Sequence, residues 1–236
     1  MKTIGLIGGM SWESTAVYYA NLNRLARAAY GGLASADILL RSVNFDEIVA
    51  LQKAGRWDKA ASVLADVAAK LQSAGADCVL ICTNTMHKVA DEVESAVTVP
   101  LLHIIDETAL ALKAAGKRKP LLLATRYTME DGFYHRRFAR HGLDLATPDE
   151  AGRGRTHAII FDELCAGHVL DGSRADLTAL IDAAKDQGCD SVILGCTEIC
   201  LSLDPDKTAL PGFDSTAIHC RAAARFAFST EMRLSA

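Results

Sequence analysis

No stretch of this sequence approaches the length of a membrane span, and the apolar run at its start, Ile4 to Gly9, is too short for the hydrophobic region of a secretory signal. Those absences set the expectation of a soluble, cytoplasmic protein that meets no membrane. A disulfide framework is lacking too. Seven cysteines, at 78, 82, 165, 189, 196, 200 and 220, form an odd set without paired spacing, and a chain that is 50% hydrophobic needs no staples. They read as reduced thiols. An excess of one sign of charge is lacking: 25 basic and 29 acidic residues leave a net charge of −4. The basic clusters Lys117-Arg118-Lys119, Arg136-Arg137 and Arg153/Arg155 are short, separated and without interleaved aromatics, which argues against a nucleic-acid partner. There is no G-x-S-x-G elbow, no P-loop and no H-E-x-x-H, and Gly5, Gly8 and Gly9 do not follow the dinucleotide spacing. Cys78/Cys82 and Cys196/Cys200 each enclose three residues and have no companion pair, so no metal is implied.

What is present is an alternation of short apolar runs and amphipathic stretches over 236 residues. Ile4 to Ile7 reads as a strand ending in Gly8-Gly9, followed by a helix from Ser14 through Ala28. Ile38 to Val43 reads as a strand and Trp57 to Ser73 as a helix, with Val63, Leu64, Val67, Ala68 and Leu71 on one face and Gly75 as its stop. A strand over Cys78 to Cys82, a helix over Thr85 to Ser95 and a strand over Leu101 to Ile105 follow. The second part gives a strand at Leu121 to Thr125, a helix from Asp131 to Arg140, and a helix capped by Ser173 with Asp176 at capping-box spacing. A strand at Ser191 to Leu194 follows it. Strands alternating with helices predict an α/β fold with parallel sheets flanked by helices.

The two parts also resemble each other. Gly75-Ala76-Asp77-Cys78-Val79-Leu80-Ile81-Cys82-Thr83-Asn84-Thr85-Met86 aligns without a gap on Gly188-Cys189-Asp190-Ser191-Val192-Ile193-Leu194-Gly195-Cys196-Thr197-Glu198-Ile199, at a constant offset of 113 positions. Leu6-Ile7-Gly8-Gly9 aligns on Leu122-Leu123-Ala124-Thr125 at an offset of 116, and Pro100 and Asp106 are echoed by Pro211 and Asp214. A helix stop, a turn and a buried strand are common to all α/β units. The polar triplets that follow, Thr83-Asn84-Thr85 and Cys196-Thr197-Glu198, are not accounted for that way. They fall at the carboxyl ends of strands, where open parallel sheets bind ligands. The reading is an internal duplication giving two similar α/β sub-domains, residues 1–98 with 211–236 and residues 99–210, related by a pseudo-two-fold with the site in the cleft between them.

Cys196, just after a strand and before a turn or helix, is expected to feel backbone N–H groups and a helix dipole that lower its pKa. A thiolate base near neutral pH would follow. Cys78, Cys189 and Cys220 read as inert core residues.

Three motifs in order, Ile4-Gly5-Leu6-Ile7-Gly8-Gly9-Met10, Thr83-Asn84-Thr85-Met86-His87 and Gly195-Cys196-Thr197-Glu198, make the chain resemble the cofactor-independent aspartate/glutamate racemases of the Asp/Glu/hydantoin racemase superfamily. The resemblance covers nearly the whole chain. It implies a homodimeric enzyme that uses no pyridoxal phosphate or other cofactor and acts on a small amino acid, with one acid/base residue on each face of Cα. Cys196 and position 83 are the implied pair. Met10, Asn84, Thr85, Thr125 and Thr197 are implied to hold the α-carboxylate and ammonium, with Glu198 beside the second acid/base group. The departure is Thr83, where family members carry cysteine. A threonine hydroxyl is too weakly acidic to act as a thiolate does, and Cys82 points to the opposite face of its strand. His87 reads equally as a packing residue. Aspartate-specific members supply basic residues for the side-chain carboxylate; here Asn44 to Gln52 has none, and Cys165 stands where lysine is common. Gln52 is the candidate contact for a polar side chain, and broad or neutral specificity stands beside aspartate and glutamate. Two other functions fit the same residues: a decarboxylase or maleate isomerase type of enzyme using Cys196 alone, and a binding protein that clamps a small acid without chemistry.

Overall fold

The computed structural model describes residues 1–228, so the end of the first predicted sub-domain, residues 229–236, lies outside the described residues. The chain divides into two compact units. Unit 1 runs from Met1 to His103 and resumes at His219, and unit 2 runs from Ile104 to Ile218.

Unit 1 contains β1 (Ile4–Gly8), α1 (Trp12–Tyr30), β2 (Ile38–Ser42), α2 (Phe45–Lys53), α3 (Trp57–Ser73), β3 (Cys78–Ile81), a 3-10 turn (Thr85–Val89) and α4 (Ala90–Ser95). Its sheet is parallel, in the order β2-β1-β3. Alternate residues of β1 and β3 feed two cores. Ile7, Val79 and Ile81 pack with Leu64, Val67 and Leu71 of α3, and Ile4, Leu6, Cys78, Leu80 and Cys82 pack with Tyr18 and Leu22 of α1. A sheet covered on both faces needs apolar residues at every strand position, which is why β1 and β3 read as unbroken apolar runs.

Unit 2 contains α5 (Ile104–Ala114), β4 (Pro120–Leu123), α6 (Arg126–Glu130), α7 (Phe133–Arg140), α8 (Glu150–Ala158), a π turn (Ile159–Glu163), a 3-10 turn (Leu164–Ala166), α9 (Asp171–Asp186), β5 (Ser191–Leu194), α10 (Ile199–Ser202) and β6 (Gly212–Asp214). The last helix, α11 (Ser215–Ala227), begins in unit 2 and continues into unit 1. The second sheet is also parallel, in the order β4-β5-β6. Leu121, Leu123, Val192 and Leu194 face one core, and Leu122, Ala124 and Ile193 face the other.

The internal duplication is written into the strand registers. Leu6 pairs with Leu80 in the first sheet and Leu122 with Ile193 in the second, which are equivalent positions. The amide of Val79 donates to the Pro100 carbonyl at 3.0 Å, and the amide of Val192 donates to the Pro211 carbonyl at 3.0 Å. Each sheet has one outer strand reduced to a single bridge: Val79 with Leu101 in unit 1, Leu121 with Ala146 in unit 2.

That reduction corrects the expected strand over Leu101 to Ile105. Leu101 alone bridges to β3, and the chain turns helical at Ile104. The expected helix from Thr85 begins as the 3-10 turn and becomes α-helical only at Ala90. Ser173 does not cap α9. The helix starts at Asp171, so Ser173 lies inside its first turn; its hydroxyl bonds Glu163, and Asp176 takes Arg155 at 2.7 Å. Long-range partners outcompeted the local capping box here. Among the described residues no helix is long and apolar enough to cross a membrane.

Candidate functional site

Both polar triplets sit immediately beyond the carboxyl ends of their strands, each within its own unit. In unit 2, β4 and β5 run parallel with Leu123 opposite Leu194. Thr125 and Cys196 therefore emerge at the same sheet edge, each two residues past the last register pair. Gly195 makes this possible. Its amide bonds the Leu123 carbonyl at 2.8 Å, and a Cβ there would come within 2.7 Å of Leu122 Cδ1. The strand end is packed so closely that only hydrogen fits.

Beyond Gly195 the chain makes a tight turn. The amide of Ile199 bonds the Cys196 carbonyl at 3.2 Å, and Glu198 folds its side chain back. One carboxylate oxygen, Glu198 Oε2, accepts from Cys196 Sγ at 2.8 Å and from Thr197 Oγ1 at 2.6 Å. Glu198 is 8% exposed, whereas Cys196 and Thr197 are half-buried. Thr125 stands at the N-cap of α6 with its hydroxyl 3.1 Å from that of Thr128.

The electrostatics reverse one expectation. The Cys196 thiol is pushed well above its ordinary pKa, first by burial and then by the Glu198 charge and its hydrogen bond. The helix counted on to lower it, α10, has only four residues. A dipole that short cannot offset a carboxylate in contact. Cys165, exposed on the 3-10 turn Leu164–Ala166, adds to the same push.

In unit 1, Ile7 lies opposite Ile81, and the chain after each makes a different turn. After β1, Gly9 has φ +88°, and a Cβ there would meet the Val43 carbonyl at 2.2 Å. Its amide bonds Thr15 Oγ1 at 2.8 Å. Met10 then enters the core beside Ile48 and Met86. After β3, Cys82 points into the core on the α1 side, fully buried, its thiol pushed well up by burial and by Cys220. Thr83 and Thr85 are half-buried and Asn84 is buried. Gln52, on α2, donates from Nε2 to Met86 Sδ at 3.0 Å, which places it over the 3-10 turn.

Within its own unit, then, the fold gathers Met10, Gln52, Thr83, Asn84 and Thr85 around the ends of β1 and β3, and Thr125, Cys196, Thr197 and Glu198 around the ends of β4 and β5. Sequence reasoning missed what lies under Thr83. His87 Nδ1 sits 2.8 Å from the Thr83 carbonyl, and its ring lies 4.6 Å from that of His103 and 5.7 Å from that of His219. These residues are 16 and 132 positions from His87 and share no spacing that a pattern could find. Among the described residues no cluster of three or more His, Cys, Asp or Glu could hold a metal ion.

A family model described as Asp/Glu/Hydantoin racemase matches residues 7–223. Among curated proteins, the chain is 25% identical over 217 residues to the broad specificity amino-acid racemase RacX of Bacillus subtilis (strain 168), covering 91% of this chain and 93% of that one. Among solved structures it is similar to a provisionally assigned Asp/Glu racemase from Yersinia pestis, at 48% identity and a TM-score of 0.92, over 97% of this chain and 100% of that one. An aspartate racemase homologue from Pyrococcus horikoshii OT3 matches at 32% identity and a TM-score of 0.87, again over 97% and 100%.

Proposed function

The chain belongs to the Asp/Glu/hydantoin racemase family, and from that premise we propose that it is a cofactor-independent amino-acid racemase that interconverts L- and D-enantiomers by removing and returning the Cα proton, with Cys196 as the group that serves one face. The observation that carries this is the Cys196–Glu198 pair at the carboxyl end of β5. A thiol beside a carboxylate holds its proton at rest and is poised as an acid. Once deprotonated it is a stronger base than an ordinary thiolate, because burial and the neighbouring charge both disfavour the anion. That basicity is what a weakly acidic Cα–H requires. Glu198 orients the thiol by accepting its hydrogen bond.

Inversion needs a second acid/base group, and Thr83 is the candidate. Its hydroxyl cannot match a thiol, so it acts through hydrogen bonding or a relayed water, and the two directions of the reaction are unequal. Met10, Asn84, Thr85, Thr125 and Thr197 supply hydroxyl, amide and backbone N–H groups for the α-carboxylate and ammonium. Around the substrate side chain, the side chains that act on Cys196 are Glu198 and Cys165, neither of them basic, and Gln52 is a neutral amide. This supports a range of amino acids rather than acidic ones alone, in line with the similarity to RacX. The enzyme works as a homodimer in the cytoplasm, a location in keeping with its seven thiols. Thr83 also favours a second reading, in which Cys196 alone delivers or removes a proton, as in decarboxylases and maleate isomerases of the superfamily.

The test is proton NMR of the protein in D₂O with L-aspartate, L-glutamate and several neutral L-amino acids, paired with chiral chromatography and a Cys196→Ser control. Appearance of the D-enantiomer with deuterium at Cα, lost in the variant, is the expected result. Deuterium entering with the L-form retained selects the one-sided reading. No exchange with any substrate overturns both.

A further inference from the structure

We propose that His87 is a positioning residue that holds the start of the 3-10 turn Thr85–Val89, and with it the Thr83-Asn84-Thr85 triplet, through a hydrogen bond from its imidazole to the Thr83 carbonyl. In an α-helical turn the His87 amide would bond the carbonyl four residues back, which is that of Thr83. Here it bonds Asn84 instead, three residues back, at 3.1 Å. The imidazole takes over the Thr83 carbonyl, with Nδ1 at 2.8 Å. A carbonyl only accepts, so Nδ1 carries the proton.

The donor ring is itself fixed. It is buried in an edge-to-face arrangement with His103 and a second with His219. His219 is held at both nitrogens. Nε2 lies 2.7 Å from the Leu102 carbonyl, which requires it to donate, and Nδ1 accepts from the Tyr18 hydroxyl at 2.9 Å. The polar triplet of unit 1 is thus linked through two imidazoles, His87 and His219, to α1 and α11. Tight packing of this kind leaves the side-chain donor one place to be.

The duplicated unit shows what the imidazole replaces. At the position equivalent to His87 stands Cys200, half-buried, whose thiol is pushed up by burial and by the charge of Asp214. There the Cys196 carbonyl is satisfied by the backbone amide of Ile199, and no side-chain donor is called on. Unit 1 uses a side chain where unit 2 uses the main chain, so the geometry at Thr83 draws on His87.

Two variants separate positioning from bulk. His87→Asn keeps an N–H donor near the Nδ1 position, and His87→Gln keeps size and polarity but carries its donor to the Nε2 position. The first readout needs no turnover: amide hydrogen exchange of residues 84–86 in the full chain, expected to rise about 10-fold or more in His87→Gln and to stay within about 3-fold of wild type in His87→Asn. The second rests on the racemase reading: Cα deuteration measured separately from L- and D-substrate. His87→Gln is expected to lower kcat about 10-fold more from one enantiomer than from the other with little change in KM, and His87→Asn to restore it. Unchanged amide exchange in His87→Gln overturns the proposal. So does an equal loss from both enantiomers that His87→Asn fails to rescue. A wild-type protein that deuterates no substrate refutes the racemase reading, while the amide-exchange arm still decides the role of His87.

Discussion

Cys196 and Glu198, two positions apart, meet through a thiol-to-carboxylate hydrogen bond of 2.8 Å in which the same oxygen also takes the Thr197 hydroxyl. A turn this short usually points such neighbours apart. Here it converts a surface-type acid into a buried partner of the reacting sulfur. The chemistry proposed for the chain rests on that contact, and so do the first predictions.

Replacing Glu198 by Gln removes the adjacent negative charge, one of the causes that raise the thiol pKa. Alkylation of Cys196 by iodoacetamide, followed by mass spectrometry at pH 7 to 9, is expected to run faster in Glu198→Gln than in wild type, about 3-fold per unit of pKa lost, because the gain in thiolate fraction is partly offset by lower nucleophilicity. Slower or equal labelling would mean that the carboxylate does not act on the sulfur.

Cys196→Ser leaves the fold intact but swaps the thiol for a hydroxyl of far higher pKa. Cα deuteration is expected to fall by about 10³-fold or more with binding retained. Thr83→Cys goes the other way, putting a thiol at the second strand end. It is expected to raise deuteration from one enantiomer by about 10-fold, and an equal gain or none from both would remove Thr83 from the proton pathway.

His219 is buried against the ring of Tyr18 and the ring of His87, with its pKa lowered from 6.5 to about 4 by desolvation. The unfolded chain therefore binds a proton that the folded chain refuses between those values. Stability should rise with pH across pH 4 to 6.5, by up to about 3 kcal/mol from this group, and level off above it. Urea midpoints measured from pH 4 to 8 check the slope. His219→Gln, which keeps a donor for the Leu102 carbonyl but does not titrate, should flatten it.

Gly195→Ala should lower stability by about 1–3 kcal/mol and reduce turnover, because the added Cβ has Leu122 Cδ1 at 2.7 Å and Ala124 Cβ at 3.1 Å. Thermal melts and the deuteration assay read the two effects separately. Intact stability with intact turnover would show that the strand end yields without moving Cys196.

Much of this was legible from the chain alone. The four buried strands β1, β3, β4 and β5 announce themselves because a sheet covered on both faces leaves no room for polar residues, and the duplication makes β1 the equivalent of β4 and β3 that of β5. The edge strand β6 was missed: three residues with a glycine and an aspartate carry no apolar signal. The segment from Leu101 to Ile105 misled for the opposite reason, since its apolar residues serve a bridge and then the first turn of a helix. Of the candidate site, the positions at strand ends followed from topology. The sign of the Cys196 pKa shift did not.

The sequence by itself determined the α/β class, the repeat and the identity of the polar triplets, because periodicity, glycine stops and a constant offset are local or self-referential signals. Only the tertiary structure decided that Glu198 folds back on Cys196 and that His87 bonds the Thr83 carbonyl. Those outcomes depend on desolvation and on partners such as His103 and His219, brought in from distant segments, and no pattern along the chain encodes which way a buried side chain turns.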